Sequence, residues 1–198
     1  AGPRAPGLLD LGPDVAARSV VIDGASKLFA MTGWRIGFSY STSQVAATMA
    51  GVQSHMTSNA ATPSQYAALA AYASDPSERE EIRAMQRSFR ERRDLVVRRF
   101  RERLPAVEFV EPEGAFYLFF RTDSFYDETM PDSVTLCARL LEDAGVALVP
   151  GEAFGDDRYV RMSYATSEAM IDEGVRRIAE ALAARHAALP QADAPGVP

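Results

Sequence analysis

A long helical pattern near the middle of the chain limits the folds that this sequence can adopt. It follows a capping sequence, Asp75-Pro76-Ser77-Glu78, and its apolar residues recur at helical spacing from Ile82 to Phe100. The pattern predicts one helix over about residues 76–104. At a rise of about 1.5 Å per residue, such a helix is roughly 40 Å long, enough to connect two subdomains.

The charged residues of this helix are expected to form an exposed face. Nine arginines lie within residues 83–103, but acidic residues alternate with them. Opposite charges at spacings such as Arg87 to Glu91 and Asp94 to Arg98 favour ion pairs along one helix. The whole chain has a formal net charge of -6, which argues against a nucleic-acid surface.

Composition excludes several classes of protein. The 198 residues are 47% hydrophobic and 24% charged, which is ordinary for a chain that builds a core. A single cysteine, Cys137, excludes an internal disulfide framework and fits a reducing compartment. The histidines, His55 and His186, do not make a metal-ligand cluster with it. Because no apolar run is long enough to span a bilayer, we expect a soluble, cytoplasmic chain. Its length of 198 residues suggests one domain or two small ones.

Before the long helix, the pattern predicts two strands and two helices. The strands are the β-branched run 18–22 and residues 34–40. A stretch of small and apolar residues predicts a helix over about residues 42–56. A second helix over about residues 62–73 begins with a capping threonine, Thr62, followed by proline.

After the long helix, short strands alternate with helices. Strands are predicted at residues 107–110, 115–121, 146–149 and 159–164, and helices at 133–144 and about 167–186. Gly145 is typical of the residue that follows a helix, and Ser167 is a typical helix N-cap. We expect residues 190–198 to form a flexible tail.

One lysine and one arginine stand eight positions apart in a small and apolar stretch, GASKLFAMTGWRIG, residues 24–37. Like charges there need a reason, because an unpaired buried charge is costly. A lysine amine can act as a nucleophile, and an arginine fork suits phosphate or carboxylate. An aldehyde that carries a phosphate, such as pyridoxal 5′-phosphate, would satisfy both Lys27 and Arg35. A surface lysine beside a structural arginine is the alternative from residue chemistry alone.

The same stretch resembles the cofactor-lysine signature of the class I/II aminotransferases, which are fold-type-I, pyridoxal-phosphate-dependent enzymes. Within that family it is most similar to bacterial aspartate aminotransferases. Four further segments follow in the family's order: PEGAFY (112–117), GVALVPG (145–151), FG (154–155) and YVRMSYA (159–165). Because several segments occur in the order found in the family, a chance resemblance around Lys27 is a poor explanation.

The resemblance implies an α/β fold, the C-terminal part of a fold-type-I transferase. That part comprises the end of the mixed sheet of the large domain, a long connecting helix and a small α+β domain. Residues 1–80 would belong to the cofactor-binding large domain. Residues 81–189 would form the small domain, with the linking helix at about 76–104, and 190–198 the flexible tail.

The resemblance also implies roles for three residues. Lys27 would hold pyridoxal 5′-phosphate covalently and move a proton during amino transfer between an L-amino acid and a 2-oxo acid. Arg35 would bind the cofactor phosphate, and Arg161 the substrate α-carboxylate. Gly24 stands where the family often has serine or threonine, so one contact to the phosphate would be absent. Homodimers are typical of the family, and residues 54–63 resemble the segment that relatives extend toward the neighbouring subunit.

The likeness covers only the C-terminal half of such an enzyme. The aspartate that holds the pyridine nitrogen protonated lies upstream in the family, as do a glycine-rich phosphate turn, a stacking aromatic residue and an asparagine. The opening AGPRAPGLLDLGPD has no initiator methionine and resembles a cut within a loop. We therefore expect that the 198-residue chain alone does not catalyse amino transfer.

Two other functions share the same residues. A lyase, decarboxylase or synthase on this scaffold would use Lys27, Arg35 and Arg161 in the same first step. A transcription regulator that senses pyridoxal phosphate would carry a winged helix upstream. Product analysis separates transferase from lyase, because only a lyase would release ammonia, and the residues before Ala1 would identify a regulator.

Overall fold

The structure is a computed structural model that describes residues 7–188, with side chains through residue 185. Residues 1–6 and 189–198, including the predicted tail, lie outside the described residues. The chain forms two compact units, the first ending at Ala84 and the second beginning at Met85. The domain boundary after residue 80 stays a prediction about the complete protein.

The first unit contains a two-stranded antiparallel sheet and a series of helices. The strands are β1 (Val21–Gly24) and β2 (Gly37–Tyr40), in a register that places Gly24 opposite Gly37. The helices are α1 (Pro13–Ala16), α2 (Ala25–Leu28), α3 (Ser43–Met56) and α4 (Thr62–Tyr72), with 3-10 turns at Leu8–Leu11 and Thr32–Trp34.

Both strands of this sheet exist as predicted but begin three residues later. Arg18 and Ser19 donate their backbone N–H groups to Val15 and Ala16, which keeps them in the turn that follows α1. Arg35 has left-handed backbone angles, φ 49 and ψ 49. An extended strand cannot pass through a residue in that conformation, so β2 begins after it.

The starts of α4 and of the long helix differ from the prediction. Ala61, not Thr62, is the N-cap residue of α4, and the Gln65 side chain donates instead to the Ala60 carbonyl at 2.7 Å. Asp75 does cap a helix, accepting from the N–H of Ser77 at 2.8 Å, but that helix is a short 3-10 turn, Pro76–Glu78. Because Arg79 is extended, the long helix α5 runs over Glu80–Arg103 rather than 76–104.

The second unit is a three-stranded antiparallel sheet with helices. Its strands, β3 (Tyr117–Arg121), β4 (Val149–Pro150) and β5 (Tyr159–Ser163), have the spatial order β3–β5–β4. Its helices after α5 are α6 (Ser133–Ala144) and α7 (Glu168–Ala188), with 3-10 turns at Asp123–Phe125 and Gly151–Phe154.

One face of this sheet forms the hydrophobic core, and the other carries aromatic and charged side chains. Leu118 and Phe120 of β3 and Val160 and Met162 of β5 are buried, together with apolar residues of the helices. The helix residues of this core include Leu95, Val96, Phe100, Leu136, Leu140, Ile171, Val175, Ile178 and Leu182. Because strand side chains alternate, Tyr117, Phe119, Tyr159 and Arg161 lie on the opposite, partly exposed face.

Helix boundaries in the second unit agree with the sequence. Helix α6 has the predicted bounds, and Gly145 follows it in the left-handed conformation (φ 65). Ser167 caps α7, because its Oγ accepts from the N–H of Met170 at 3.3 Å.

The predicted strands at 107–110 and 146–149 are shorter than expected. The first is reduced to an isolated bridge between Phe109 and Phe120. The second pairs only at Val149–Pro150, because the N–H of Val146 bonds back to the Leu140 carbonyl of α6.

The arginines of α5 form ion pairs, as the charge pattern predicts, and these include pairs that the pattern did not name. Arg93 contacts Asp94 at 2.6 Å, Arg99 contacts Glu102 at 2.7 Å, and Arg101 reaches Glu111 at 2.7 Å.

Candidate active site

A short turn at the end of β1 positions Lys27. Gly24 is the last residue of β1 and the N-cap of the one-turn helix α2, on which Lys27 lies. A Cβ atom on Gly24 would lie 3.0 Å from the Ile36 carbonyl oxygen and 3.2 Å from the Cα of Gly37. Both neighbours are backbone atoms, so a larger residue would push β2 away from β1. This contact gives a physical reason for glycine where the family often has serine or threonine.

Arg35 lines the same cleft from the turn that precedes β2. It follows the 3-10 turn Thr32–Trp34, and its Nη1 donates to the Thr32 carbonyl at 3.0 Å. Left-handed angles are uncommon for arginine and occur mainly where the surrounding structure enforces them, often at functional sites. The sequence predicted a strand over residues 34–40 and did not predict the left-handed conformation of Arg35, after which β2 begins.

Lys27 and Arg35 line one open cleft of about 550 Å³ within the first unit. Its other lining residues are Asp23, Gly24, Ser26, Leu28, Ile36 and Gly37. The cleft thus combines an amine, a guanidinium and a floor of small residues. This donor set fits a planar ligand that carries both an aldehyde and a phosphate, because an amine can bind the aldehyde and a guanidinium the phosphate.

Lys27 is the only lysine among the 21 lysine and arginine residues of the chain. Arginine therefore serves at every other cationic position, including the ion pairs of α5. Arginine cannot lose its proton in a protein, whereas a lysine amine can. The lysine at this position therefore provides an amine that can act as a nucleophile, which an arginine would not.

One acidic residue lines the cleft, and an aromatic cluster lies elsewhere in the same unit. Asp23, at the cleft wall, accepts from the N–H of Gly24 at 2.7 Å. Tyr72 of α4 makes edge contacts with Phe29 at 4.8 Å and Phe38 at 5.4 Å between ring centroids. Burial, and then the charge of Asp23, raises the pKa of Tyr72.

Three more residues near the lysine differ in placement. Ser26 lines the cleft, while Trp34 and Tyr40 are about half exposed. The sequence did not assign Asp23 to the cleft, and the Asp-Gly step at the end of β1 is the signal that could have marked it.

Arg161 lies in the second unit, on the partly exposed face of β5. It stands opposite Phe119 of β3 and Val149 of β4. The Cζ of Arg161 is 4.7 Å from the centroid of the Phe154 ring and 5.3 Å from that of the Tyr117 ring. Tyr117 and Phe154 belong to the family-like segments PEGAFY and FG, but the sequence did not predict that their rings contact Arg161.

The loop that carries Phe154 has no room for a side chain at Gly151. A Cβ there would overlap the carbonyl oxygens of Asp156 and Tyr159. The buried Ser133 hydroxyl donates to the Asp157 carboxylate at 2.6 Å and accepts from the N–H of Glu152 at 3.3 Å. These contacts hold the loop between β4 and β5 on the start of α6.

Two further kinds of site are not found in the described residues. Within residues 7–188, no group of three or more histidine, cysteine, aspartate or glutamate side chains could hold a metal ion. In the same part of the chain, no helix has the length and apolarity needed to cross a membrane.

Comparison with known proteins identifies the family. The sequence model of aminotransferase class I and II matches residues 3–178. The chain belongs to this family. Two aminotransferases are similar to this chain in sequence. One is an aspartate aminotransferase of Thermotoga maritima, 45% identical over 168 residues, or 85% of this chain and 41% of that protein. The other is a bifunctional aspartate and glutamate/aspartate-prephenate aminotransferase of Petunia hybrida, 43% identical over 176 residues, or 86% of this chain and 36% of that protein.

Solved aminotransferase structures share the fold. The crystal structure of an aspartate aminotransferase from Rhizobium meliloti matches with a TM-score of 0.80 at 38% identity, over 92% of this chain and 46% of the other. An aromatic aminotransferase from Pyrococcus horikoshii matches with a TM-score of 0.79 at 34% identity, over 89% of this chain and 46% of the other. The expected fold class is thereby confirmed. The chain spans less than half the length of the relatives it matches.

Proposed function

We propose that this chain is part of a pyridoxal-phosphate-dependent aminotransferase that transfers an amino group between an L-amino acid and a 2-oxo acid. One observation carries the proposal: the only lysine of the chain shares a cleft with Arg35. Membership of the class I and II aminotransferases supports it, and the similar relatives are aminotransferases by name. The lyase and regulator alternatives have no specific observation in their favour.

Each of the three site residues has a distinct task in this proposal. The Nζ of Lys27 would bind the aldehyde and later move the proton between the substrate α-carbon and the C4′ carbon of the cofactor. The Arg35 guanidinium would hold the phosphate, and the Arg161 guanidinium would bind and orient the substrate α-carboxylate. When bound, pyridoxal 5′-phosphate supplies a ring that withdraws electrons from the substrate.

Amino transfer by this chain would require further polypeptide. The relatives are more than twice as long, and β1 and β2 form a sheet of only two strands with exposed apolar residues such as Ile22 and Tyr40. We infer that the parts of the relatives that this chain does not match complete the sheet and the cofactor site. The proposal includes a homodimer, because Met56 is 74% exposed and lies in residues 54–63, which resemble the segment that relatives extend toward the neighbouring subunit. A cytoplasmic location is part of the same proposal.

Labelling with two aldehydes tests the cofactor site. The chain is treated with pyridoxal 5′-phosphate or with pyridoxal, reduced with borohydride and mapped by mass spectrometry. We expect pyridoxal 5′-phosphate to label Lys27 in preference to the N-terminal amine, and to label it faster than pyridoxal does, because Arg35 attracts the phosphate. Lys27→Ala should abolish the internal label.

The matched arginine variants separate the roles of charge and phosphate binding. Arg35→Gln should remove the preference for pyridoxal 5′-phosphate over pyridoxal, whereas Arg18→Gln, an exposed arginine outside the cleft, should keep it. Label confined to the N-terminal amine, or equal labelling by the two aldehydes in the wild-type chain, would contradict the proposed site.

A further inference from the structure

Two aromatic rings contact the guanidinium of Arg161. We propose that Tyr117 and Phe154 are positioning residues that hold this guanidinium in one orientation, so that its N–H groups receive a planar carboxylate. This inference rests on the proposed function, because it assigns the carboxylate of the substrate to Arg161. It extends that function to two residues that do not themselves bind the carboxylate.

The electrostatics of the stack explain why rings can replace an acidic partner. The guanidinium carbon lies 4.7 Å from the Phe154 centroid and 5.3 Å from the Tyr117 centroid, within the range of cation–π attraction. Rings attract the flat face of a guanidinium, whereas its N–H donors point outward in its plane. Stacking therefore orients Arg161 without using the donors that a carboxylate needs.

Other arginines of the second unit are held differently. Arg121 contacts both Glu108 and Asp123, and Arg176 contacts Glu173 at 2.7 Å. Among residues 7–185, whose side chains are described, the Arg161 guanidinium contacts aromatic rings but has neither a hydrogen bond nor an ion pair. An acidic neighbour would compete with a substrate carboxylate, and the aromatic neighbours do not.

The Phe154 ring is itself fixed by its neighbours. Phe119 contacts it edge-on at 6.1 Å and stacks on Tyr159 at 4.9 Å with an interplanar angle of 15°. The backbone that carries Phe154 is held by the close packing at Gly151 and by the Ser133–Asp157 hydrogen bond. This ring therefore has little freedom to leave Arg161.

The Tyr117 ring is held through a strained turn. Ala115, two residues before it, has a positive φ of 62, which is uncommon for alanine. The buried Tyr164 stabilises this turn, since its hydroxyl donates to the Ala115 carbonyl at 3.2 Å and its N–H to the Phe116 carbonyl at 2.8 Å. The turn at Ala115 thus leads directly into β3 and places Tyr117 beside β5.

The test observes the Arg161 guanidinium directly in the 198-residue chain by nuclear magnetic resonance. The probe is the Nε–Hε group of Arg161, assigned with Arg161→Gln, and the ligand is L-aspartate without any cofactor. In the wild-type chain we expect an upfield ring-current shift, restricted motion and a shift change on adding L-aspartate. Phe154→Leu and Tyr117→Leu should each increase the motion and weaken L-aspartate binding by about fivefold.

Two controls make the result specific. Phe154→Tyr retains a ring and should restore the wild-type shift and affinity. Leu141→Ala changes an apolar side chain of similar exposure, 54% against 51% for Phe154, and should leave both unchanged. Wild-type mobility equal to that of Phe154→Leu, or L-aspartate binding unaffected by both leucine variants or absent at Arg161, would overturn the inference. The aldehyde labelling of Lys27 is independent of this measurement, so the two failures are distinguishable.

Discussion

Gly151 illustrates how a single residue positions a functional side chain. It begins the turn that carries Phe154, and a Cβ atom there would overlap two backbone carbonyl oxygens. Backbone atoms cannot move aside as a flexible side chain can. The packing of the loop between β4 and β5 therefore requires glycine at this position.

The prediction at this position is a large loss of stability. Gly151→Ala should lower the free energy of unfolding by about 2 kcal/mol or more, because the loop must shift to admit the methyl group. Urea denaturation followed by circular dichroism measures the change. Gly114→Ala is the control, since nothing lies within 4 Å of its Cβ position, and it should change stability by about 0.5 kcal/mol or less. Equal effects of the two variants would show that the packing at Gly151 is not limiting.

Cys137 is a second residue whose surroundings determine its chemistry. It is buried on α6, and burial raises the pKa of its thiol above the ordinary value, to about 11. Because the folded pKa is the higher one, burial of the neutral thiol favours the folded chain below about pH 9. That contribution disappears as the pH rises from about 9 to about 11.

Alkylation tests this environment. At pH 8, iodoacetamide should modify Cys137 about a hundredfold more slowly in the folded chain than in urea, because only the thiolate reacts. Mass spectrometry over time gives both rates. Similar rates in the two conditions would mean that the second unit opens around α6 far more readily than its packing indicates.

At the scale of elements, the helix termini are set by local hydrogen bonds. Asp132 accepts from the N–H of Thr135 at 2.7 Å at the start of α6, and this bond lowers the pKa of its carboxyl group. Ser167 has the same role at the start of α7. The length of β4 has a different origin: it extends only along Val149–Pro150, because the N–H of Val146 bonds back to the Leu140 carbonyl of α6.

The α7 cap provides the prediction at this scale. Ser167→Ala should lower the free energy of unfolding by about 1 kcal/mol, because the N–H of Met170 loses its acceptor. Ser167→Asp retains an acceptor and should lose little, and Thr166→Ala serves as the neighbouring control. Urea denaturation of the three variants measures the differences, and an unchanged Ser167→Ala chain would exclude the capping role.

For the whole molecule, the distribution of buried apolar side chains differs between the units. The hydrophobic core lies in the second unit, from Leu95 to Leu182. Within residues 7–84, the buried side chains are those of Ala25, Ser64, Ala71 and Ile82, which provide little apolar area. Exposed apolar residues in this range include Ile22, Tyr40, Met56, Tyr66 and Leu69. An apolar surface of this kind is typical of an interaction site, which agrees with the proposal that further polypeptide completes the first unit.

Hydrogen exchange tests this difference. Backbone amides of β3, β5, α6 and α7 should exchange at least about a hundredfold more slowly than those of β1 and β2, because protection follows local burial and packing. Mass spectrometry of peptides after timed deuteration gives both rates. Equal protection in the two units would show that the first unit is stable without further polypeptide.

The sequence by itself determined the longer helices, the family and the choice of candidate residues, but not the one-turn helices α1 and α2. Helices α3 and α6 have nearly or fully the predicted bounds, and Gly145 and Ser167 end and begin helices as expected. These features depend on spacing and on hydrogen bonds between residues a few positions apart. Such local interactions can be recognised in one chain segment without knowledge of the rest.

Only the tertiary structure decided the geometry of the sites. The left-handed Arg35 and the short β4 were not predicted, and the rings beside Arg161 come from segments distant in the chain. The cleft between Lys27 and Arg35 likewise exists because Gly24 and Gly37 allow β1 and β2 to approach. Close packing of this kind depends on atoms brought together by folding, and no local pattern encodes which atoms those are.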